Sequence, residues 1–147
     1  MVKLKRYIDA NIILYASVKR DERQLDDRTR DIKERSKEIL KRIKDGEKVY
    51  ISTIQVSESL NVIEKIGGFK IASIVMKFLL QSPQVMIITV TPEIMEKAAK
   101  IVDQYSENKI GFNDAIAYVS MLKKGCTEIY TFDKHFNVFK GIKRIEN

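Results

Sequence analysis

Short apolar segments alternate with longer helical segments along the whole chain, and this order constrains the fold more than any other feature. Residues 5–9, 48–52, 84–90 and 127–133 are rich in apolar and β-branched residues, and residues 142–146 form a last short segment of this kind. Strands separated by helices pair in parallel through right-handed crossovers, with helices on both faces of the sheet. The sequence therefore predicts a three-layer α/β/α sandwich around a mostly parallel sheet of about five strands.

The helices between these strands are predicted from apolar periodicity and from residues typical of helix ends. We expect helices over 11–18, 29–46, 53–66, 69–81, 92–106 and 112–125. Ser52 followed by Gln55 is typical of a capping box, in which each residue satisfies a main-chain N–H of the other. Residues 84–90 are continuously apolar, which is typical of a strand that is buried on both faces.

Length and composition favour a single cytoplasmic domain over residues 1–147. The chain has 147 residues and is 44% apolar, which is ample for one core. The N-terminus lacks an apolar signal core, and no apolar run is long enough to span a bilayer, so we expect no membrane role. Cys126 is the only cysteine. It excludes an internal disulfide and a cysteine-based zinc site, and it suits a reducing compartment.

The charge balance favours a polyanionic partner. Lys and Arg number 27 against 20 Asp and Glu, which gives a net charge of +7 with histidine neutral. Such a surplus is typical of proteins that bind nucleic acid or an anionic surface, although it also serves solubility alone. Residues 19–31 are almost wholly polar and charged. They predict a solvated loop or an exposed helical extension, or alternatively a mobile flap over a substrate groove.

A set of acidic residues stands beside apolar residues instead of within charged runs. The set is Asp9, Glu58, Asp114 and Asp133. Each follows a predicted strand or lies in the first turns of a helix next to one, and the carboxyl ends of parallel strands meet at one edge of the sheet. Singly, these acids are explained as helix caps, turn residues or exposed helix residues. Together they predict one shared acidic site.

Four carboxylates in one pocket repel one another, and their pKa values rise unless cations neutralise them. Mg²⁺ and Mn²⁺ prefer such oxygen ligands. Bound divalent ions activate water and stabilise an in-line displacement at phosphorus, a reaction that needs no histidine. His135 is the only histidine. We expect it to have a structural role, with Phe136 and Phe139 packing the end of the chain, and a catalytic role is the alternative.

Four segments resemble the signature segments of PIN-domain ribonucleases, in the same order and over residues 5–145. They read YIDANIILYA, STIQVSESLNVI, NDAIAYVSMLKKG and EIYTFDKHF. The resemblance implies cleavage of single-stranded RNA that depends on Mg²⁺ or Mn²⁺. By position, the residues that correspond to the metal-binding acids of the family are Asp9, Glu58, Asp114 and Asp133. Asn11 and Thr131 correspond to nearby polar positions that orient a ligand or water.

The size of the chain is similar to that of VapC-type toxins within this family. Those proteins act as homodimers and are held inactive by an antitoxin protein. The resemblance therefore implies RNA as substrate, a homodimer, and an antitoxin as a further partner. The charged segment 19–31 is longer than in compact members of the family, and it departs from their pattern where an antitoxin contact is expected.

Other functions fit parts of the same pattern. A non-catalytic RNA-binding or assembly module would keep the fold without turnover, and a housekeeping RNA-processing nuclease would keep the chemistry without a toxin role. The segment DAN at residues 9–11 also resembles the Asp-x-Asp nucleophile of some phosphatases. Asn11 stands where the second acid of that motif belongs, so the general acid would be missing.

Overall fold

Five short strands form one parallel sheet in the computed structural model, which describes residues 4–18 and 24–147. The strands are Arg6–Ile8 (β1), Val49–Ser52 (β2), Val85–Ile88 (β3), Glu128–Tyr130 (β4) and Lys143–Ile145 (β5). Their order across the sheet is β3-β2-β1-β4-β5, and every neighbouring pair is parallel. The predicted mostly parallel, five-stranded sheet is confirmed.

Helices cover both faces of this sheet, as the alternating pattern predicts. The helices of the described ranges are Ala10–Ser17 (α1), Asp27–Lys44 (α2), Thr53–Gly67 (α3), Phe69–Gln81 (α4), Pro92–Gln104 (α5) and Phe112–Lys124 (α6). A short 3₁₀ helix at Ser106–Asn108 lies between α5 and α6, and another at Lys134–Val138 lies between β4 and β5. Within the described ranges, no helix combines the length and the apolar character that a membrane crossing requires.

Two apolar clusters fill the spaces between the sheet and its helices. Successive strand residues point to opposite faces, so Tyr7 and Ile8 belong to different clusters. On the face of Ile8, helices α1 to α4 contribute Ile12, Ile39, Ile63 and Leu79. On the face of Tyr7, helices α5 and α6 contribute Ile94, Ala98, Ile116 and Met121. The result is the predicted three-layer α/β/α sandwich.

Helix α2 begins inside the charged segment that was predicted to be a loop or an exposed helical extension. Asp26 caps the helix by accepting a hydrogen bond from the Thr29 N–H at 2.7 Å. The described part of the segment therefore includes the first turns of a helix with mainly exposed side chains. Residues 19–23 lie outside the described residues, and the alternative of a flap over a groove stays a prediction.

The prediction that residues 84–90 form a strand buried on both faces is wrong. Strand β3 is an edge strand beside β2, and the side chains of Met86 and Ile87 are 39% and 36% exposed. A continuous apolar run shows that both faces of a strand carry apolar side chains. It does not show whether a further strand or helix covers them, which depends on the order of strands in the sheet.

Candidate functional site

The topology brings the carboxyl ends of β1 and β4 together. The chain runs outward from β1 through β2 to β3 and then returns to place β4 on the other side of β1. Open parallel sheets bind ligands at such a point of reversal. Asp9 directly follows β1, and its N–H donates to the Tyr130 carbonyl at the end of β4 at 3.0 Å. Asp133 lies three residues further along the chain from Tyr130.

Thr131 links the acids that follow these two strands. The Thr131 hydroxyl donates to Asp9 Oδ2 at 2.7 Å, and Thr131 Oγ1 accepts from the Asp133 N–H at 3.0 Å. Asp9 also caps α1, because its Oδ1 accepts from the Asn11 N–H at 3.4 Å. The main-chain N–H of Asn11 thus holds the Asp9 carboxylate, while the side chain of Asn11 is exposed. Thr131 is fully buried, so the position of its hydroxyl is fixed by packing.

Asp114, in the first turn of α6, lies close to Asp133. One carboxylate oxygen of each, together with a ring nitrogen of His135, lie within 4.8 Å of one another. The His135 N–H donates to Asp133 Oδ1 at 2.9 Å, and His135 Nδ1 lies 3.2 Å from the same oxygen. None of the ion pairs between described residues joins a lysine or arginine to Asp9, Glu58, Asp114 or Asp133.

Glu58 reaches the same region from α3. Its Oε2 accepts a hydrogen bond from Asn113 Nδ2, one residue before Asp114. Asp9, Glu58 and Asp114 line a shared cleft of about 300 Å³. The structure therefore brings all four sequence-predicted acids to one edge of the sheet, and it places Thr131 and Asn11 against Asp9.

Burial and mutual repulsion make two of these acids hard to ionise. Desolvation raises the pKa of Asp9 to about 6, and the charges of Asp133 and Glu58 act in the same direction. Desolvation likewise raises the pKa of Asp114 to about 7, with added repulsion from Asp133 and Asp9. Near neutral pH, the site holds carboxylates whose negative charge is poorly compensated by the protein. A bound cation would supply that compensation.

The donor set fits a hard divalent cation. Carboxylate oxygens are the ligands that Mg²⁺ and Mn²⁺ prefer, and donor atoms within 4.8 Å of one another can share one coordination sphere. The prediction of a structural role for His135 is not supported by its surroundings, because its side chain is 54% exposed and faces Asp133. Phe136 and Phe139 are buried as expected. The tight 3₁₀ turn after Asp133 directs the histidine towards the acids instead of towards the core.

Half of the predicted capping box forms between Ser52 and Gln55. Ser52 caps α3 by accepting from the Gln55 N–H at 3.3 Å, as the capping box predicts. The reciprocal contact is absent among the described hydrogen bonds, since the Ser52 N–H donates to the Tyr7 hydroxyl at 3.0 Å. Gln55 Nε2 instead donates to the Asn113 carbonyl of α6 at 2.8 Å. Only the packing of α3 beside α6 reveals this contact.

The site lies within a recognisable family domain, because residues 6–142 match the PIN domain family. The chain is a PIN domain protein. PIN domains are generally nucleases, and they generally use divalent metal ions. The resemblance read from the four sequence segments is thereby confirmed. No curated protein sequence matches the chain significantly.

Solved structures of PIN proteins share this fold. VapC20 of Mycobacterium tuberculosis, described as a sarcin-ricin loop cleaving toxin, has a TM-score of 0.75 at 19% identity and covers 94% of this chain and 97% of its own. VapBC2 of Rickettsia felis, bound to a promoter DNA fragment, has a TM-score of 0.66 at 14% identity. The match covers 97% of this chain and 98% of the VapBC2 chain. A toxin–antitoxin complex from Klebsiella pneumoniae has a TM-score of 0.63 at 17% identity over 95% of each chain. At these identities the likeness is one of fold.

Proposed function

We propose that this PIN domain protein is a Mg²⁺- or Mn²⁺-dependent endoribonuclease that cleaves phosphodiester bonds of single-stranded RNA. The observation that carries the proposal is the convergence of Asp9, Glu58, Asp114 and Asp133 at one edge of the sheet, without lysine or arginine partners among the described ion pairs. A protein that needed these residues only for stability would pair or expose them. An acidic cleft of this kind gains stability by holding divalent cations.

The proposed roles follow from where each side chain lies. Asp9, Asp114 and Asp133 hold the metal, and Glu58 completes the ligand set or positions the attacking water. A divalent ion held by these carboxylates would supply Lewis-acid activation of water and charge neutralisation at phosphorus. The Thr131 hydroxyl keeps Asp9 oriented through its 2.7 Å hydrogen bond. His135 offers a further donor beside Asp133 or a contact to the substrate.

The surplus of basic residues supports a polyanionic substrate. A net charge of +7 attracts the RNA backbone. Lys134 is exposed and directly follows Asp133, so its side chain starts beside the acidic site. We assign Lys134 a phosphate contact. Such contacts position the backbone and carry no sequence preference of their own.

Substitution of one buried acid tests the proposal. Asp9→Asn keeps the shape of the side chain and removes the ligand charge, so we expect cleavage of a single-stranded RNA in Mn²⁺ to be abolished while the variant stays folded and still unfolds cooperatively. Asp103→Asn, which changes an exposed acid on α5, serves as the matched control and should cleave like the wild type. Full cleavage by a well-folded Asp9→Asn protein would contradict the proposed mechanism.

A non-catalytic RNA-binding or assembly module is the alternative from another class. Mn²⁺ binding to the native state raises the melting temperature by mass action, by an amount that grows with the metal concentration. The nuclease predicts this rise in wild-type protein and its loss in Asp9→Asn. No shift up to millimolar Mn²⁺ would favour the inert module.

A toxin of a toxin–antitoxin pair is the biological role that the comparisons favour over a housekeeping nuclease. One of the similar structures is described as a toxin–antitoxin complex, and VapC20 is described as a toxin. In this chain a groove of about 430 Å³ runs between α1, α2 and α4. Ile74 in this groove is 61% exposed, and Lys44 and Lys70 also line it. The groove therefore suits an amphipathic antitoxin segment that carries acidic residues.

Co-expression with the product of the adjacent upstream reading frame tests this partner. We expect the two proteins to copurify and the complex to cleave RNA poorly, and Ile74→Asp should release the partner. Leu122→Asp, which changes an exposed leucine on α6, should leave the complex intact. Separate purification of the two wild-type proteins would contradict the toxin role. The homodimer stays a prediction of the family resemblance, which light scattering of the purified protein tests.

A further inference from the structure

A hydrogen-bond network connects the sheet to the two acids that lie on helices, buried at Tyr7, Ser52 and Gln55 and exposed at Asn113. We propose that Gln55 is a positioning residue whose amide ties α3 to α6 and so fixes Glu58 relative to Asp114. The inference rests on the proposed metal-dependent nuclease function, because it concerns the geometry of that site. The Gln55 side chain is buried, with 3% exposure, and it does not line the cleft formed by Asp9, Glu58 and Asp114.

Both hydrogen bonds between the helices involve one residue of α6. Gln55 Nε2 donates to the Asn113 carbonyl at 2.8 Å, and the side-chain amide of Asn113 donates to Glu58. Glu58 lies three residues after Gln55, so both side chains occupy the same side of α3. Asp114 directly follows Asn113. The first turn of α6 is therefore held to α3 at the main chain and at a side chain, next to two proposed metal ligands.

The orientation of the Gln55 amide is dictated by its other neighbours. Its Oε1 accepts hydrogen bonds from the hydroxyls of Tyr7 and Ser52. The Tyr7 hydroxyl accepts the Ser52 N–H at 3.0 Å, which leaves its own proton for Gln55. Burial raises the pKa of Tyr7 far above its ordinary value, so the phenol remains a donor. A flipped amide would place its carbonyl oxygen against the Asn113 carbonyl and lose these bonds.

The hydrogen bonds of the Gln55 side chain are those of a residue that positions α6, and not those of a residue that caps α3. A capping box would use the Gln55 side chain on the Ser52 N–H, but Tyr7 already occupies that donor. The Gln55 amide is thus available for α6. Residues that orient metal ligands typically change metal affinity by about 10- to 100-fold when they are replaced. We expect an effect at the lower end of this range, because Gln55 acts on Glu58 and Asp114 through Asn113.

The experiment compares Gln55→Met with a matched substitution elsewhere. Gln84 Nε2 donates to the Ile43 carbonyl at 2.7 Å, so Gln84→Met removes the same kind of hydrogen bond at the other end of the sheet. We expect Gln55→Met to bind Mn²⁺ about tenfold more weakly by titration calorimetry. Its kcat for RNA cleavage should fall at limiting Mn²⁺ while KM for RNA is unchanged, and high Mn²⁺ should restore kcat because every ligand is still present. Gln84→Met should match the wild type.

A second pair keeps the test decisive if Gln55→Met does not fold. Tyr7→Phe removes the hydroxyl that orients Gln55, and Tyr118→Phe removes a tyrosine hydroxyl that donates to the Lys140 carbonyl at 2.8 Å. We expect weaker Mn²⁺ binding only in Tyr7→Phe. Equal Mn²⁺ affinity and kcat in a variant and its control would overturn the positioning role and leave the nuclease function standing. A wild-type protein that neither binds Mn²⁺ nor cleaves RNA would overturn the proposed function, and this inference with it.

Discussion

The buried carboxyl of Asp9 predicts an unusual pH dependence of stability in the absence of metal. Its pKa is raised from 3.8 to about 6 in the folded protein, mainly by desolvation. Between these two values the native state holds a proton that the unfolded chain has lost. The free energy of unfolding therefore falls as the pH rises through this window, which is the reverse of the usual behaviour of a paired carboxylate.

The size of the effect follows from the two pKa values of Asp9. A rise in the pKa from 3.8 to about 6 corresponds to about 3 kcal/mol of destabilisation above both values, at ~1.4 kcal/mol for each pH unit. At pH 4 only a small part of this penalty is present, since this pH lies barely above the unfolded-state pKa of 3.8, while the native carboxyl is still protonated. Between pH 4 and pH 7.5, Asp9 alone should cost the metal-free protein about 2 kcal/mol.

Urea unfolding of Asp9→Asn and wild-type protein in a chelating buffer measures this cost. The neutral amide carries no such penalty, so the stability of the variant relative to wild type should improve by about 2 kcal/mol between pH 4 and pH 7.5. Asp103→Asn, at an exposed position, should keep the wild-type pH dependence. Parallel pH profiles for Asp9→Asn and wild type would refute the claim that Asp9 is an uncompensated buried acid.

The other predictions concern the hydrogen bonds, charges and packing around the site. Thr131→Val removes the donor to Asp9 Oδ2, so Mn²⁺ affinity measured by calorimetry should fall about tenfold; an unchanged affinity would contradict the orienting role. Lys134→Ala should raise KM for RNA, and it should reduce the slope of log binding constant against log salt concentration by about 0.7, the value for one phosphate contact to a single strand. Lys48 precedes β2, at the end of that strand away from the acidic site, so Lys48→Ala should change neither quantity. Ile39→Ala opens a cavity in the fully buried core and should cost about 2–5 kcal/mol in urea unfolding, while Ile74→Ala at an exposed position should cost far less.

The residues that follow strands could be placed from the sequence, because strand order and chain direction determine where strands end. Asp9 and Asp133 each follow a short apolar segment, and parallel pairing of those segments brings them to one edge. Thr131 was predicted from the family resemblance, and the structure gives it a specific partner in Asp9. The positions of Asp9 and Asp133 thus follow from local pattern and topology alone.

Other features depend on packing that no local pattern records. Gln55 satisfies a capping-box pattern, yet its amide contacts α6, because Tyr7 from β1 already occupies the Ser52 N–H. His135 was predicted to support the chain end, yet a 3₁₀ turn directs it towards Asp133. Strand β3 has the composition of a central strand and lies at an edge. In each case, contacts between segments distant in the sequence determine the outcome.

The most direct test of the acidic site is anomalous diffraction from crystals of the wild-type protein soaked in Mn²⁺. We expect an anomalous peak at the edge of the sheet, coordinated by carboxylate oxygens of Asp114 and Asp133. Asp9 and Glu58 should line the same pocket, directly or through water. A Mn²⁺-saturated crystal without a peak there, or with Asp9 and Asp133 each paired to a lysine, would contradict the central claim.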